Sequence, residues 1–306
     1  MILTACSSSK TQVEDPPELG SLFYPVYGYD RDTGECIGGP DSSGWNGDGG
    51  PILLEPMAGF YCFGWPEYQE ETISLMEEHG FSWVLISYNG WGDVGLEGRI
   101  EAEDFEAVHQ DIEAFLSRAT GRIKVALLVE PYVDLGGLDP AFLTDEQKSQ
   151  IRDVIWSDLY QPHADAIFHF GGRPLLVQWF PMDLGQDDRF TIRTFGSFPD
   201  PETPLLDWNW YPDIEKYPEI ISDDGFLSFA PRFVDAFGLD PRQMDPFLSE
   251  GVYEQYWDIA YENRDEIALV LIYGWNAYGE QSVIEPVVDG PDLLRQTQEG
   301  FERLLE

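Results

Sequence analysis

Two glutamates stand out by the company they keep. Glu130 opens Glu130-Pro131-Tyr132 directly after an apolar run, and Glu280 follows Trp275-Asn276-Ala277-Tyr278-Gly279. A pair of carboxylates is the minimum for general acid–base work, one holding a proton and the other removing one. Across a glycosidic bond, carboxyl separations of about 5 Å or roughly 6.5–9.5 Å go with opposite stereochemical outcomes. Aromatic and amide side chains recur in similar surroundings: Trp65, Tyr88, Asn89, Trp91, Tyr132, Trp179, Trp208, Trp210, Trp275, Asn276 and Tyr278. A sugar ring has an apolar C–H face and a hydroxylated rim, so a flat aromatic floor with amide and carboxylate neighbours suits it. For any single aromatic the alternative is plain packing. For Glu130 it is a structural carboxylate bonded to nearby backbone.

Metal chemistry has no foothold. There is no CxxC and no HExxH, and His79, His109, His163 and His169 are scattered, so neither metal nor cofactor is expected. Asp30-Arg31-Asp32-Thr33-Gly34 lacks the further ligands of a calcium loop and reads as a hairpin turn between Val26-Tyr27 and Cys36-Ile37.

These residues need a frame, and the apolar pattern supplies one. Strands are expected at 57–63, 83–87, 124–130, 174–180, 190–194, 205–208, 226–230 and 268–273. Helical periodicity falls at 66–80, 105–116, 144–159, 251–263 and 291–305. Lys124 to Glu130 is almost unbroken apolar sequence, as a strand buried on both faces requires. Eight strands with crossovers over about 250 residues fit a single-domain (β/α)8 TIM-type barrel. A doubly wound sheet is the alternative, but no glycine-rich phosphate loop follows the first strand. The expected division is a lipoprotein-type signal remnant and disordered tether at 1–20, a hairpin and loop extension at 21–50, and the barrel at 51–306. In such a barrel the eleven aromatic and amide residues fall at strand ends, where βα loops collect chemistry.

The last motif, Trp275-Asn276-Ala277-Tyr278-Gly279-Glu280-Gln281-Ser282-Val283-Ile284-Glu285-Pro286, resembles the signature of glycoside hydrolase family 99. Further segments resemble that family in order and spacing: Ile73 to Asn89, Val125 to Tyr132, Gly171-Gly172-Arg173-Pro174-Leu175 and Phe229-Ala230-Pro231-Arg232-Phe233. The resemblance covers roughly residues 55–290. It implies a (β/α)8 barrel and retaining, endo-acting hydrolysis of α-mannans by two glutamates three residues apart. One of them deprotonates the sugar's own 2-hydroxyl and the other protonates the leaving oxygen. Carried onto this chain, the acid is Glu280, while the base position is Ala277, which cannot act as a base. Either Glu130 takes the missing role, or Glu280 works alone with water on another polymer, or the chain binds carbohydrate without cleaving it.

Charge narrows the partners. With 17 Lys+Arg against 57 Asp+Glu, the formal net charge is −40. That field repels nucleic acid and anionic membrane surfaces. Lysine is confined to Lys10, Lys124, Lys148 and Lys216, and the aromatic fraction of 14% rules out a disordered polyanion. A carboxylate-rich, lysine-poor surface fits a halophilic protein, whose self-repulsion salt screens. Leu3-Thr4-Ala5-Cys6, followed by Ser7-Ser8-Ser9, resembles a lipobox, so Cys6 is expected to carry lipid and to be the protein's membrane attachment. Cys36 and Cys62 then form either a disulfide or, for Cys62, a buried thiol. The expectation is an extracellular or surface-tethered glycoside hydrolase acting on polysaccharide or oligosaccharide. The alternative is a non-catalytic carbohydrate-binding lipoprotein.

Overall fold

The structure, a computed structural model, describes residues 15–30, 35–42, 45, 54–88, 102–130, 143–197, 206–210, 221–231, 251–278 and 282–306. Eight parallel strands form one sheet: β1 Glu18–Phe23, β2 Trp83–Tyr88, β3 Lys124–Val129, β4 Arg173–Trp179, β5 Thr191–Ser197, β6 Trp208–Trp210, β7 Phe226–Phe229 and β8 Leu269–Ile272. Hydrogen bonds link them in the order β6-β5-β4-β3-β2-β1-β8-β7. The register runs Gly20↔Trp83 and Leu22↔Leu85 on one side of β1 and Gly20↔Leu271 on the other. All six residues of β2 are buried, as in a strand covered by a barrel core inside and helices outside.

Side chains alternate between those two layers. Leu22, Trp83, Leu85, Ala126, Leu128, Leu175, Val177, Leu269 and Leu271 share the barrel interior. Val84, Ile86, Leu127, Val129, Val270 and Ile272 pack outward with helical residues such as Ile73, Met76, Ile112 and Phe115. Between β6 and β7 the barrel is closed by rings. Trp208 stacks on Phe226 with centroids 4.1 Å apart and planes at 5°. The Trp208 indole N–H donates to Asp224 Oδ1 at 3.0 Å, and Arg193 pairs with Asp224 Oδ2 at 2.9 Å.

The described helices are α1 Pro66–Glu78, α2 Ala102–Ala119, α3 Asp145–Val154, α4 Val252–Glu262 and α5 Leu293–Leu304. Pro66 occupies the first turn of α1, where its missing N–H costs nothing, and Gly80 ends the helix at φ 82°. Thr144 and Gln147 form a reciprocal capping box on α3, which continues into a wide π-helical turn, Ile155–Tyr160. The Asp292 carboxylate caps α5.

One expected strand is corrected, and the domain boundaries with it. The first barrel strand is Glu18–Phe23, not 57–63. The barrel therefore begins at residue 18, inside what the sequence assigned to a tether and to an extension at 21–50. Gly20 sits where a Cβ would come within 2.3 Å of the Trp83 indole, so this weakly apolar strand is selected by close approach to β2. The 57–63 segment belongs to the long connection from β1 to α1. Its Tyr61, Cys62 and Phe63 are buried by neighbouring rings rather than by sheet pairing. Cys36 and Cys62 are joined in a disulfide, and Tyr29 bridges Cys36 antiparallel across the expected turn, whose residues 31–34 lie outside the described ones.

Candidate active site

The C-terminal strand ends define the mouth of the barrel. On β3 the inward positions are Ala126 and Leu128, and the same alternation carries Glu130 inward one step past the strand. Its backbone N–H bonds to the Tyr88 carbonyl at 3.3 Å, and the residue is half-buried. The same count along β8 brings Tyr273 inward, and along β1 Tyr24. Their hydroxyls meet at 2.9 Å and their rings pack edge to face at 6.4 Å. Trp179, at the end of β4, is half-buried with its ring 5.4 Å from Phe195. The mouth thus carries a carboxylate, two linked phenols and a tryptophan.

The other sequence-expected residues part company. Asn89, Trp91, Tyr132 and Glu280 lie outside the described residues. Trp210 ends β6 opposite Ser197. Trp65 is 37% exposed at the start of α1, its indole over Gly38 and 3.4 Å from the Cys36 carbonyl. Five expected lining residues are corrected to packing positions. Tyr88 faces the helices, where its hydroxyl meets His109 Nδ1 at 2.9 Å. Burial, then the nearby Asp158 charge, pushes its phenol up. Trp208 fills the barrel seam, and Trp275 is fully buried edge-on to Phe81. Asn276 and Tyr278 are buried too, locking the last loop to the first. Tyr88 lies on the helix-facing side of β2, one residue out of phase with the inward positions, whereas Trp208 faces the barrel interior.

The last loop has its own architecture. After β8, Asn276–Ala277 pairs antiparallel with Ser282–Val283, and residues 279–281 between them, Glu280 included, lie outside the described ones. Ala277 is 4% exposed. Behind this hairpin lies Glu285, fully within the protein and absent from the expected site. It accepts hydrogen bonds from Tyr61 at 3.0 Å, from Tyr68 at 3.0 Å and from Tyr278. Burial pushes its carboxyl up to about 7, against the opposing pull of those three hydroxyls. Tyr24 also escaped the sequence reading, and Tyr273, though the last residue of an expected strand, was not among the expected lining residues. Counting alternate residues along β8 would have found Tyr273, whereas Tyr24 needed β1 to be placed correctly. Among the described residues, no group of three or more His, Cys, Asp or Glu could hold a metal ion, and no helix is long and apolar enough to cross a membrane.

No family model and no curated protein matches this chain. Solved structures do. A GH99 endo-alpha-mannosidase from Bacteroides thetaiotaomicron aligns at a TM-score of 0.61 and 15% identity, covering 94% of this chain and 97% of the other. The enzyme from that organism in complex with BIS-TRIS-propane gives 0.61 at 14% identity with the same coverage. A glycoside hydrolase-like protein gives 0.61 at 12% identity over 95% of this chain and 96% of its own. The fold of this chain is therefore similar to that of the GH99 endo-α-mannosidase structures, over nearly the whole length of both chains. At such identity the likeness concerns the fold.

Proposed function

We propose that this protein is a glycoside hydrolase cleaving a polysaccharide or oligosaccharide at the C-terminal mouth of its barrel. The observation that carries the reading is Glu130, which follows the inward positions Ala126 and Leu128 at the end of β3, in a barrel of GH99-like fold whose other strand ends carry Tyr24, Tyr273 and Trp179. Glu280 is the general acid that protonates the departing oxygen, and Glu130 is the base or nucleophile. Trp179 offers a sugar a ring face, and the linked Tyr24–Tyr273 hydroxyls offer its rim hydrogen bonds. The reaction class is retaining endo-hydrolysis, by similarity to the family signature.

Export fits the same picture. The Cys36–Cys62 disulfide supports an oxidising compartment, and the lipobox-like start assigns lipid attachment to Cys6. The acidic surface supports a saline setting.

A second reading rests on Ala277. The family's base position holds a buried methyl group here, which favours a carbohydrate-binding protein that has lost its chemistry. Incubation with a panel of polysaccharides, scoring bound glycan and released product separately, decides between them. New reducing ends that disappear in Glu280→Gln support hydrolysis. Binding without product on every glycan bound supports the second reading.

A further inference from the structure

Glu285 is an acid in an unusual place. Its three hydroxyl partners come from three stretches of chain: Tyr61 from the connection after β1, Tyr68 from α1, and Tyr278 from the hairpin after β8. The cluster is layered. Tyr61 and Tyr68 stack at 3.5 Å, and Asn276 Nδ2 donates to the Tyr61 hydroxyl at 3.2 Å. The Trp45 indole N–H bonds to the Tyr61 carbonyl at 2.8 Å. Tyr27 receives the backbone N–H of Tyr278 on its own hydroxyl at 3.0 Å.

Among the described residues the titratable groups facing Glu285 are phenols, Tyr61, Tyr68 and Tyr278, with Tyr27 beyond Tyr278. Among the described residues no guanidinium, ammonium or imidazole forms an ion pair with it. An ionised carboxylate only accepts, so it satisfies three donating phenols at once. A neutral acid donates one bond itself, so the phenol on that oxygen accepts it and must send its own hydrogen to another partner. None of the three phenols on Glu285 is a residue of the mouth, although Asn276, which bonds Tyr61, also holds the backbone of Tyr24. What Glu285 does grip is Tyr278, held at the ring by its hydroxyl and at the backbone by Tyr27, immediately before the connection that contains Glu280.

We infer that Glu285 is a positioning residue: through Tyr278 it fixes the paired segments 276–277 and 282–283 after β8 against α1 and the β1–α1 connection, and so holds the stretch of chain two residues before the proposed general acid Glu280. The inference rests on the hydrolase reading of Glu280. Because burial brings the carboxyl to about 7, the clamp changes between its two hydrogen-bond patterns near neutral pH.

The test uses the full chain, with Glu285→Gln and Tyr68→Phe as separate variants in case the first fails to fold. Amide hydrogen exchange is read at 276–278 and 282–285, and kcat and KM are measured on a glycan that the wild type cleaves. Exchange at these amides should quicken about tenfold or more in either folded variant, with the barrel strands unchanged. The kcat should fall about tenfold with KM within about twofold, and a limb of the wild-type pH–rate profile near 7 should vanish in Glu285→Gln. Unchanged hairpin exchange, or faster exchange throughout the barrel, overturns the positioning role. So does unchanged kcat in an active enzyme. A wild type that releases no product from any bound glycan instead removes the hydrolase reading, and the positioning role goes with it.

Discussion

Asn276 grips the backbone of Tyr24 by both of its peptide groups: Oδ1 accepts the Tyr24 N–H at 2.8 Å, and Nδ2 donates to the Tyr24 carbonyl at 2.9 Å. The side chain thereby acts as an extra strand between the ends of β1 and β8, at the point where the two tyrosines of the mouth meet. Asn276→Leu strands both peptide groups in the interior. Leaving buried partners unsatisfied costs about 1–3 kcal/mol each. The expected loss in urea denaturation is about 2–5 kcal/mol, and Asn276→Asp, which keeps the acceptor and loses the donor, should fall between that and wild type. A loss below about 0.5 kcal/mol in the leucine variant would show the clamp to be dispensable.

Glu285 makes stability depend on pH in a defined direction. Its folded-state carboxyl is raised from 4.5 to about 7, so the folded chain binds that proton more tightly than the unfolded chain. The stabilisation from this group is complete below about pH 4.5 and is lost as pH rises through about 7, on the order of 3 kcal/mol in all. Asp187 works oppositely in a separate window. Its carboxyl is lowered to about 2, first by the hydrogen bond from Arg189, so its contribution is lost as pH falls below the ordinary carboxylate range. Melting temperatures between pH 5 and 7.5 should decline in wild type and flatten in Glu285→Gln. Parallel curves for the two proteins would contradict the assignment.

The ring-closed seam between β6 and β7 has its own test. Trp208→Ala removes the stack on Phe226 and the indole hydrogen bond to Asp224, and truncating a buried tryptophan costs about 3–5 kcal/mol. Trp208→Phe keeps an aromatic face and loses only the N–H, so its cost should stay within about 1–2 kcal/mol. Chemical denaturation of both variants separates stacking from hydrogen bonding. Equal losses would mean that the ring stack is incidental.

For the proposed chemistry, Glu280→Gln and Glu130→Gln should each lower turnover on the order of 10²–10⁴-fold while glycan affinity stays within about threefold. Initial rates and equilibrium binding on one glycan check both. Full activity in either variant removes that residue from the mechanism.

With a net charge of −40, folding should strengthen as salt rises. The Debye length contracts from about 10 Å at 0.1 M to about 3 Å at 1 M, and repulsion among surface carboxylates shrinks with it. Thermal melts from dilute buffer to molar potassium chloride should shift upward steadily. A flat series would point to an acidic surface without halophilic adaptation.

Much of the barrel was legible because parallel strands buried on both faces leave long apolar runs, as in Trp83–Tyr88 and Lys124–Val129. β1 escaped because Gly20 and Ser21 dilute its apolar signal, and the reason for Gly20 lies in a tryptophan 63 residues away, as the pairing Gly20↔Trp83 makes plain. The segment around Tyr61 mimicked a strand by being aromatic and buried for other reasons. Glu130 could be found by counting alternate residues along β3. Tyr88 could not be oriented without fixing the phase of β2, since a one-residue slip exchanges core and helix faces. Glu285 was hidden more deeply, because Tyr61 and Tyr68 stand more than two hundred residues before it in the chain.

The bond between Cys36 and Cys62 also determines how the protein can be made. It closes a loop of 26 residues in the connection that carries Trp45, Tyr61 and Trp65, a constraint worth about 3–4 kcal/mol in a chain-entropy account. A chain synthesised in a reducing cytosol would lack that constraint where the first loop meets the last. Secretion into a periplasm or oxidative refolding should therefore yield a better-formed preparation than cytosolic expression. Routine thiol reductants in purification buffers would act directly on the connection between β1 and α1.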